Sequence, residues 1–386
     1  MNEPRLSATE RYFLHLLACS MQERKPCSPY AGAKFSALLS LALRQSMEAT
    51  VCDALLALDR IPADKKTALE RTRLFAIRRD AQLTAATERI QAALEQNRLR
   101  CMPLKGAVLK YAYPKPYQRA MTDLDFLIDE AATPRLDGLM KEIGFRFADA
   151  HQNHRNYQND SGVLVEFHTA LFSSHSKSTA TWGDPWADAV PCAGTQFCFV
   201  QSPTASYLYL ILHLYEHYAG NGVGARFVLD SAVLRRAQGD ALDWVRIRTV
   251  LSQAGLLQFA EAIDALGDAW CADAPLDSMQ QLLSAHLLEG GLYGSASHRA
   301  SREIMQEGGR AQRILHALFE PKAVLMGAYP VLQKAPFLLP FCYLHRIPYR
   351  LITRREEAKA RIAAGRISDD YLAEQHRIND ALGLQN

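Results

Sequence analysis

The chain has 386 residues, 48% of them hydrophobic, and a formal net charge of +3 at pH 7. This length allows two or three domains with a substantial core, and the near-balanced charge gives no argument for a nucleic-acid partner. The eight cysteines form no Cys-x-x-Cys pair, which excludes the common zinc motifs. Without a signal-peptide layout or an apolar run of ~20 residues, we expect a cytoplasmic protein that does not insert into a membrane.

The first predicted region, residues 1–98, is helical. Apolar residues recur at helical spacing over residues 7–99, with a break between Pro26 and Gly32. A long charged helix begins near Asp64 and passes through Arg78-Arg79. Because charges three or four residues apart stabilise a helix surface, we interpret this charged stretch as a solvated face.

The second predicted region, residues 99–201, alternates short β-rich runs with short helices. One helix is predicted to open at Gly106, and another to use Thr133 as N-cap with Pro134 at its first position. A turn at Asp160-Ser161-Gly162 predicts a β-hairpin. The predicted strands cover residues 100–104, 123–129, 145–147, 154–159, 163–168 and 197–200.

The third predicted region, residues 202–386, is again helical, starting at Ser202-Pro203. Gly220-Asn221-Gly222-Val223-Gly224 resembles a nucleotide-binding loop, but it follows a predicted helix and not a strand. We therefore interpret it as a helix end and linker. The predicted fold class is α+β, with a small mixed-sheet core flanked by helical regions on both sides.

Three carboxylates give the strongest functional signal. Asp123 and Asp125 alternate with Leu124 and Phe126 on one predicted strand, so both carboxylates point to one face and the apolar pair points into a core. Glu166, on a neighbouring predicted strand, would add a third carboxylate. Together they would form an oxygen cage for Mg²⁺, with Mn²⁺ as an alternative. The alternative interpretation is a set of carboxylates at strand ends and a sheet edge.

Two histidine signals accompany the carboxylates. His168 lies two residues beyond the third carboxylate, so it shares that face and either orients the site or is structural. His213 and His217 lie four residues apart, a spacing that suits metal binding. Their apolar and aromatic neighbours favour core or substrate-wall histidines over zinc ligands. Arg226 and Asp230, also four apart, either pair with each other or line the site.

The order of these motifs resembles the bacterial uncharacterised nucleotidyltransferase family of the DNA polymerase β superfamily. The resemblance covers about residues 95–200 strongly and residues 205–235 weakly. In the weaker part, a His-x-x-x-His…Arg…Asp pattern is matched by His213, His217, Arg226 and Asp230. In the stronger part, the matching motifs are Leu104-Lys105-Gly106, Tyr113-Pro114 with Arg119, Thr122-Asp123-x-Asp125 and Val165-Glu166-x-His168.

The resemblance implies two-metal, Mg²⁺-dependent transfer of a nucleoside monophosphate from an NTP such as ATP. The acceptor would be a small molecule, a peptide, a glycan or an RNA. Gly106 would let backbone N–H groups approach phosphate, and Lys105 and Arg119 would clamp phosphates. The residues expected to hold the metals and to be catalytic are Asp123, Asp125 and Glu166. The remaining residues expected at the nucleotide are His168, His213, His217, Arg226 and Asp230.

Some alternatives stay open at this point. Lys105 could be a solvated lysine, and Arg119 could be an ion-pair partner of Asp123. The superfamily often has a hydroxyl or a second glycine after the first glycine, but this chain has Gly106-Ala107. That departure motivates a second hypothesis, in which the donor is a nucleotide-sugar or another phosphate-linked group used in peptide or glycan tailoring.

A third hypothesis is a non-catalytic module that binds nucleic acid or a protein partner on the same fold. It is motivated by the basic pairs Arg78-Arg79, Arg235-Arg236 and Arg354-Arg355. No pattern of stacking aromatic residues accompanies these pairs.

Overall fold

The computed structural model describes residues 6–151, 154–172, 177–306, 325, 329, 331–345 and 367–384. The strands are β1 Cys101–Pro103, β2 Asp123–Ile128, β3 Phe145–His151, β4 His154–Asn159, β5 Leu164–His168, β6 Ala189–Pro191 and β7 Phe199–Gln201. The helices that precede the fifth strand are α1 Ala8–Met21, α2 Phe35–Arg44, α3 Glu48–Leu56, α4 Ala63–Gln96, α5 Gly106–Leu109 and α6 Thr133–Glu142.

The helices that follow the fifth strand make up most of the rest of the described chain. They are α7 Lys177–Trp182, α8 Pro203–Gly220, α9 Ala225–Gln238, α10 Trp244–Gln253, α11 Leu257–Ala272, α12 Ser278–Glu289, α13 Ala296–Gln306, α14 Val331–Lys334 and α15 Asp369–Ala381. None of the described helices is both long enough and apolar enough to cross a membrane.

A five-stranded mixed sheet in the order β1-β2-β5-β4-β3 forms the α/β part. Strands β2 and β5 are parallel, and the other neighbours are antiparallel. The predicted hairpin is confirmed as β4 and β5, and β6 pairs with β7 in a separate two-stranded sheet. The predicted α+β class with a small mixed sheet and flanking helices is confirmed.

Successive side chains of β2 point to opposite faces of the sheet. Leu124, Phe126 and Ile128 are buried in one hydrophobic cluster, where Phe126 stacks on Phe167 of β5 at 5.6 Å between ring centroids. Leu127, on the opposite face, belongs to a second and larger cluster. Burial of alternate side chains therefore fixes the strand register and leaves the acidic positions on the face toward the larger cluster.

The larger cluster brings together helices from both ends of the chain. It includes Leu16 of α1 and Val51 of α3 together with Leu212 of α8 and Ile263 of α11. Ile378 of α15 is fully buried in the same cluster. The division into regions 1–98, 99–201 and 202–386 stays a prediction, and the two helical regions share one core.

Helix α4 connects the two clusters. Leu69 packs in the larger cluster, and the residues from Leu83 to Leu94 contribute to the one around the sheet. None of residues 70–82 between them is buried. Part of this charged stretch is exposed as predicted, but Asp80 pairs with the buried Lys110, so the stretch is not a purely solvated face.

The start of α6 differs from the sequence-based expectation. Ala132 occupies the cap position, and Thr133 is already helical with φ −51° and ψ −44°. A single 3-10 turn over Glu130–Ala132 runs directly into the helix. Thr133 is therefore the first helical residue and not the cap, and Pro134 follows at a position where its missing N–H costs nothing.

Candidate active site

A cavity of about 490 Å³ lies between the acidic face of the sheet and helices α8 and α9. It collects residues that are far apart in sequence, because β2 and β5 supply one wall and the two helices supply the other. The cavity is lined by the sequence-predicted residues Lys105, Gly106, Arg119, Asp123, Asp125, Glu166, His213, His217, Arg226 and Asp230.

The carboxylates meet because of the parallel register of β2 and β5. Asp125 pairs directly with Glu166 across the two strands. His168 Nε2 lies 2.9 Å from Asp125 Oδ1 and 3.6 Å from Glu166 Oε2. Ligand atoms of these three residues lie within 4.8 Å of one another, close enough to share one metal ion. Asp123 lines the same cavity, and its Oδ1 accepts a hydrogen bond from Thr122.

The electrostatics of this group favour a cation. Burial and the charge of Asp125 raise the pKa values of Asp123 and Glu166. Burial also acts to raise the pKa of Asp125, but Lys105 and His168 outweigh it and hold that pKa well below its usual range. Because a divalent cation would relieve the repulsion among these carboxylates, the donor set of oxygens and one imidazole fits Mg²⁺ or Mn²⁺.

Lys105 has an unusual backbone conformation next to this group. Its φ of 50° and ψ of −124° lie in a region that favours glycine, and such a residue costs about 1–3 kcal/mol. The side chain donates to Asp125 Oδ1 at 2.7 Å, so Lys105 is an ion-pair partner and not a solvated lysine. Gly106 has no room for a side chain, because a Cβ would overlap Met121 and lie 3.3 Å from Arg119 Nη1.

The strain at Lys105 can be measured with two substitutions that remove the same ammonium group. Lys105→Gly relaxes the backbone, whereas Lys105→Ala keeps the strain. We expect the glycine variant to be more stable than the alanine variant by about 1 kcal/mol in urea unfolding. Both variants should lose activity alike. A more stable alanine variant would contradict the strained conformation.

A buried ion pair joins the segment before β2 to α9. Arg119 Nε donates to Asp230 Oδ1 at 2.8 Å, and the Tyr113 hydroxyl donates to the same oxygen at 2.6 Å. Asp230 is fully buried and Arg119 is 7% exposed. The hypothesis that Arg119 pairs with Asp123 is therefore wrong, because the guanidinium is turned away from the strand and toward α9.

Arg226 adds a second guanidinium beside this pair. It donates through Nη1 to the carbonyl of Ala120 at 3.1 Å and not to Asp230, so the expected pair four residues apart does not form. Among the residues that the structure describes, its buried Nε has no hydrogen-bond partner. Burial and the nearby Arg119 lower the pKa of Arg226 to about 10. Glu48 also lies within electrostatic range of Arg226, so the two arginines have two acidic neighbours. Both guanidinium groups line the cavity, where they could bind an anionic group.

The Arg119–Asp230 pair should be important for stability. Asp230→Asn leaves the buried Arg119 without its counter-charge, which costs about 3–5 kcal/mol in the free energy of unfolding. Chemical denaturation followed by circular dichroism measures this loss. Asp160→Asn is the control, because Asp160 forms an exposed pair with Arg146. The control should cause no measurable change, and equal effects of the two substitutions would contradict the structural role of Asp230.

The two histidines of α8 form part of the cavity wall. Their Nε2 atoms lie 3.0 Å apart. Burial and the charge of Lys105 lower the pKa of His213 well below its usual value and that of His217 to about 4. Within the described part of the chain, no third ligand joins them in a metal-binding group. Burial therefore favours the neutral form of both rings, and the interpretation of core or substrate-wall histidines stays a prediction.

Aromatic residues that we did not predict as site residues also line the cavity. Tyr209 stacks on His213 at 5.7 Å between ring centroids, and Tyr293 lies 5.3 Å from His217. The spacing of Tyr209, one helical turn before His213, places both on one face and was a usable signal. Tyr293 follows a different helix, so nothing in the local sequence connects it with the site.

The comparison with known proteins identifies a family of nucleotidyltransferases. The chain belongs to the family described as "uncharacterised nucleotidyltransferase", whose model matches residues 31–271. This match extends beyond the sheet into the helices on both sides and includes every lining residue of the cavity except Tyr293. No curated protein sequence matches the chain.

A solved structure of the antibiotic-resistance factor ANT(2'')-Ia is similar in part. It is 11% identical in sequence and covers 49% of this chain and 93% of its own, with a TM-score of 0.33. At this level of similarity it supports no conclusion about the substrate.

Proposed function

We propose that this chain is a divalent-metal-dependent nucleotidyltransferase that moves a nucleoside monophosphate from an NTP to a hydroxyl or phosphate of an acceptor. The parallel pairing of Asp125 with Glu166 carries this proposal, because it sets two carboxylates side by side in a cavity. The opposite wall carries the guanidinium groups of Arg119 and Arg226. A cavity of about 490 Å³ is within the range that holds small ligands.

We assign metal binding to the acidic residues and phosphate binding to the basic residues. Asp123, Asp125 and Glu166 would hold the metal ions, with His168 Nε2 adjacent to the same oxygens. Bound Mg²⁺ would stabilise the charge that develops on the attacking and leaving oxygens of an in-line displacement. The phosphates of the donor would be bound by Lys105 and the backbone at Gly106, which lie beside the carboxylates, and by Arg119 and Arg226 near α9.

The missing hydroxyl at Ala107, which motivated the nucleotide-sugar hypothesis, does not bear on the cavity. Ala107, the position that lacks the usual hydroxyl, packs in the hydrophobic cluster around the sheet and does not line the cavity. A hydroxyl at this position would point into that core. We therefore favour an NTP donor over a nucleotide-sugar.

The hypothesis of a non-catalytic binding module is also less favoured. Arg79 donates to the carbonyl of Thr122 at 2.8 Å, next to the carboxylates. Arg235 donates to Asp268 at 2.7 Å and to the carbonyl of Asp264. Two of the basic pairs thus contribute to the fold through one arginine each. Arg354-Arg355 lies outside the described residues.

Removing the paired carboxylates tests the proposal. The double variant Asp125→Asn, Glu166→Gln should lose at least about 100-fold in pyrophosphate release and in transfer of label from NTPs to components of a cell extract, since each change removes a metal ligand. EDTA should abolish the activity of the unmodified protein, and added Mg²⁺ or Mn²⁺ should restore it.

Asp129→Asn provides the matched control. Asp129 follows the same strand but pairs with Arg100 outside the cavity, so this variant should keep its turnover. Retained turnover in the double variant, or transfer from nucleotide-sugars with no transfer from NTPs, would refute the proposed reaction.

A further inference from the structure

An aromatic wall faces the carboxylates across the cavity. We use this name for five aromatic rings that form a continuous chain of contacts in space, with centroid separations between 4.4 and 6.5 Å. The closest pair is His213 and His217, and their imidazoles are nearly perpendicular at 86°. The members of the aromatic wall are Tyr209, His213, His217, Phe227 and Tyr293.

This wall differs in charge from the rest of the cavity. Lys105, Arg119 and Arg226 are cationic, and the sheet is acidic, but the wall carries no charge near neutral pH because both of its histidines are neutral. A neutral aromatic surface attracts an uncharged planar ring by stacking and apolar contact. Of the parts of a nucleotide, only the base has that character.

Tyr293 is the member of the wall most open to a ligand. It is 51% exposed, and its ring contacts His217 and Phe227 at 5.3 and 6.1 Å. It sits at the tip of the turn Gly290–Gly294, where Gly291 and Gly294 pair as an isolated β-bridge. Among the described members of the wall, this ring therefore offers the most accessible face to a ligand.

The turn that carries Tyr293 is fixed by its neighbour in the sequence. Leu292 N donates to the carbonyl of Arg44 at 2.8 Å, and its own carbonyl accepts from Gly224 N at 2.9 Å. Gln45 Nε2 donates to the carbonyl of Gly290 at 3.1 Å. These contacts attach the turn to α2 and to the loop before α9, so the ring is held at the cavity.

Glycines make this attachment possible. A Cβ on Gly294 would overlap the carbonyl oxygen of Asn221, and Gly294 also has a φ of 73°. A Cβ on Gly224 would overlap Gln45 Oε1. The loop Gly220–Gly224, interpreted from sequence as a plain linker, thus has a second role as the surface on which the Tyr293 turn rests.

We propose that the aromatic wall binds the base of the donor nucleotide, with Tyr293 stacking on the base. This inference rests on the proposed function and adds the place of the base to it. The triphosphate then lies toward Lys105 and Arg119, and the base points away from the carboxylates toward the mouth of the cavity.

Binding measurements with two ligands test this assignment. Isothermal titration in the presence of Mg²⁺ would compare inorganic triphosphate with the tightest-binding of ATP, GTP, CTP and UTP. Tyr293→Ala should weaken NTP binding about 10- to 100-fold, the range expected for losing one stacked base, and leave triphosphate binding unchanged. Tyr293→Phe keeps the ring and should bind NTP like the unmodified protein.

A second variant displaces the turn without touching the ring. Gly294→Ala introduces the overlap with Asn221 and should weaken NTP binding in the same selective way. If Tyr293→Ala binds NTP normally, or weakens NTP and triphosphate equally, the base is not bound here and the inference fails, although the proposed reaction stands. If the unmodified protein binds neither ligand, the proposed function fails as well.

Discussion

One buried carboxylate holds the two sides of the cavity together. Asp230 of α9 accepts hydrogen bonds from Arg119 and from Tyr113, both of which belong to the segment that leads into β2. Because Asp230 has no access to water, these contacts are not exchanged for solvent. Breaking the pair would leave a buried charge without its counter-charge. Helix α9, which carries Arg226 and Phe227, is thus fixed against the strand that carries Asp123 and Asp125.

From that constraint follow the positions of the other functional groups. With the start of β2 held in place, its parallel pairing with β5 sets Asp125 beside Glu166. The strained backbone of Lys105 then turns its ammonium onto the same carboxylate. Strain in a residue at a functional site is tolerated only where the surrounding fold compensates for it, and the two hydrophobic clusters on either side of the sheet supply that compensation.

Local patterns in the sequence were sufficient for the strands of the five-stranded sheet, and the family resemblance added several of the ten predicted residues that line the cavity. The alternation of Asp123, Asp125 and their apolar neighbours indicates which face of β2 is buried, because a strand has a period of two. The hairpin turn likewise indicates where the following strand begins, and so which face of that strand carries Glu166. These features depend on residues close together in the chain, so the sequence alone predicts them.

Contacts between distant segments were not predictable in the same way. The partner of Arg119 is Asp230, more than a hundred positions away, and no periodicity links them. The grouping of His168 with two carboxylates depends on strand register, which sequence fixes only through burial. Tyr293 reaches the cavity because glycines let two backbone segments touch, and only the packed structure shows that contact.

A crystal structure with Mn²⁺ and a non-hydrolysable NTP tests the central claim most directly. The anomalous signal of Mn²⁺ should lie within about 2.5 Å of carboxylate oxygens of Asp125 and Glu166, with the triphosphate between the metal and Arg119. Metal and nucleotide bound outside this cavity would contradict the assignment of the cavity as the active site.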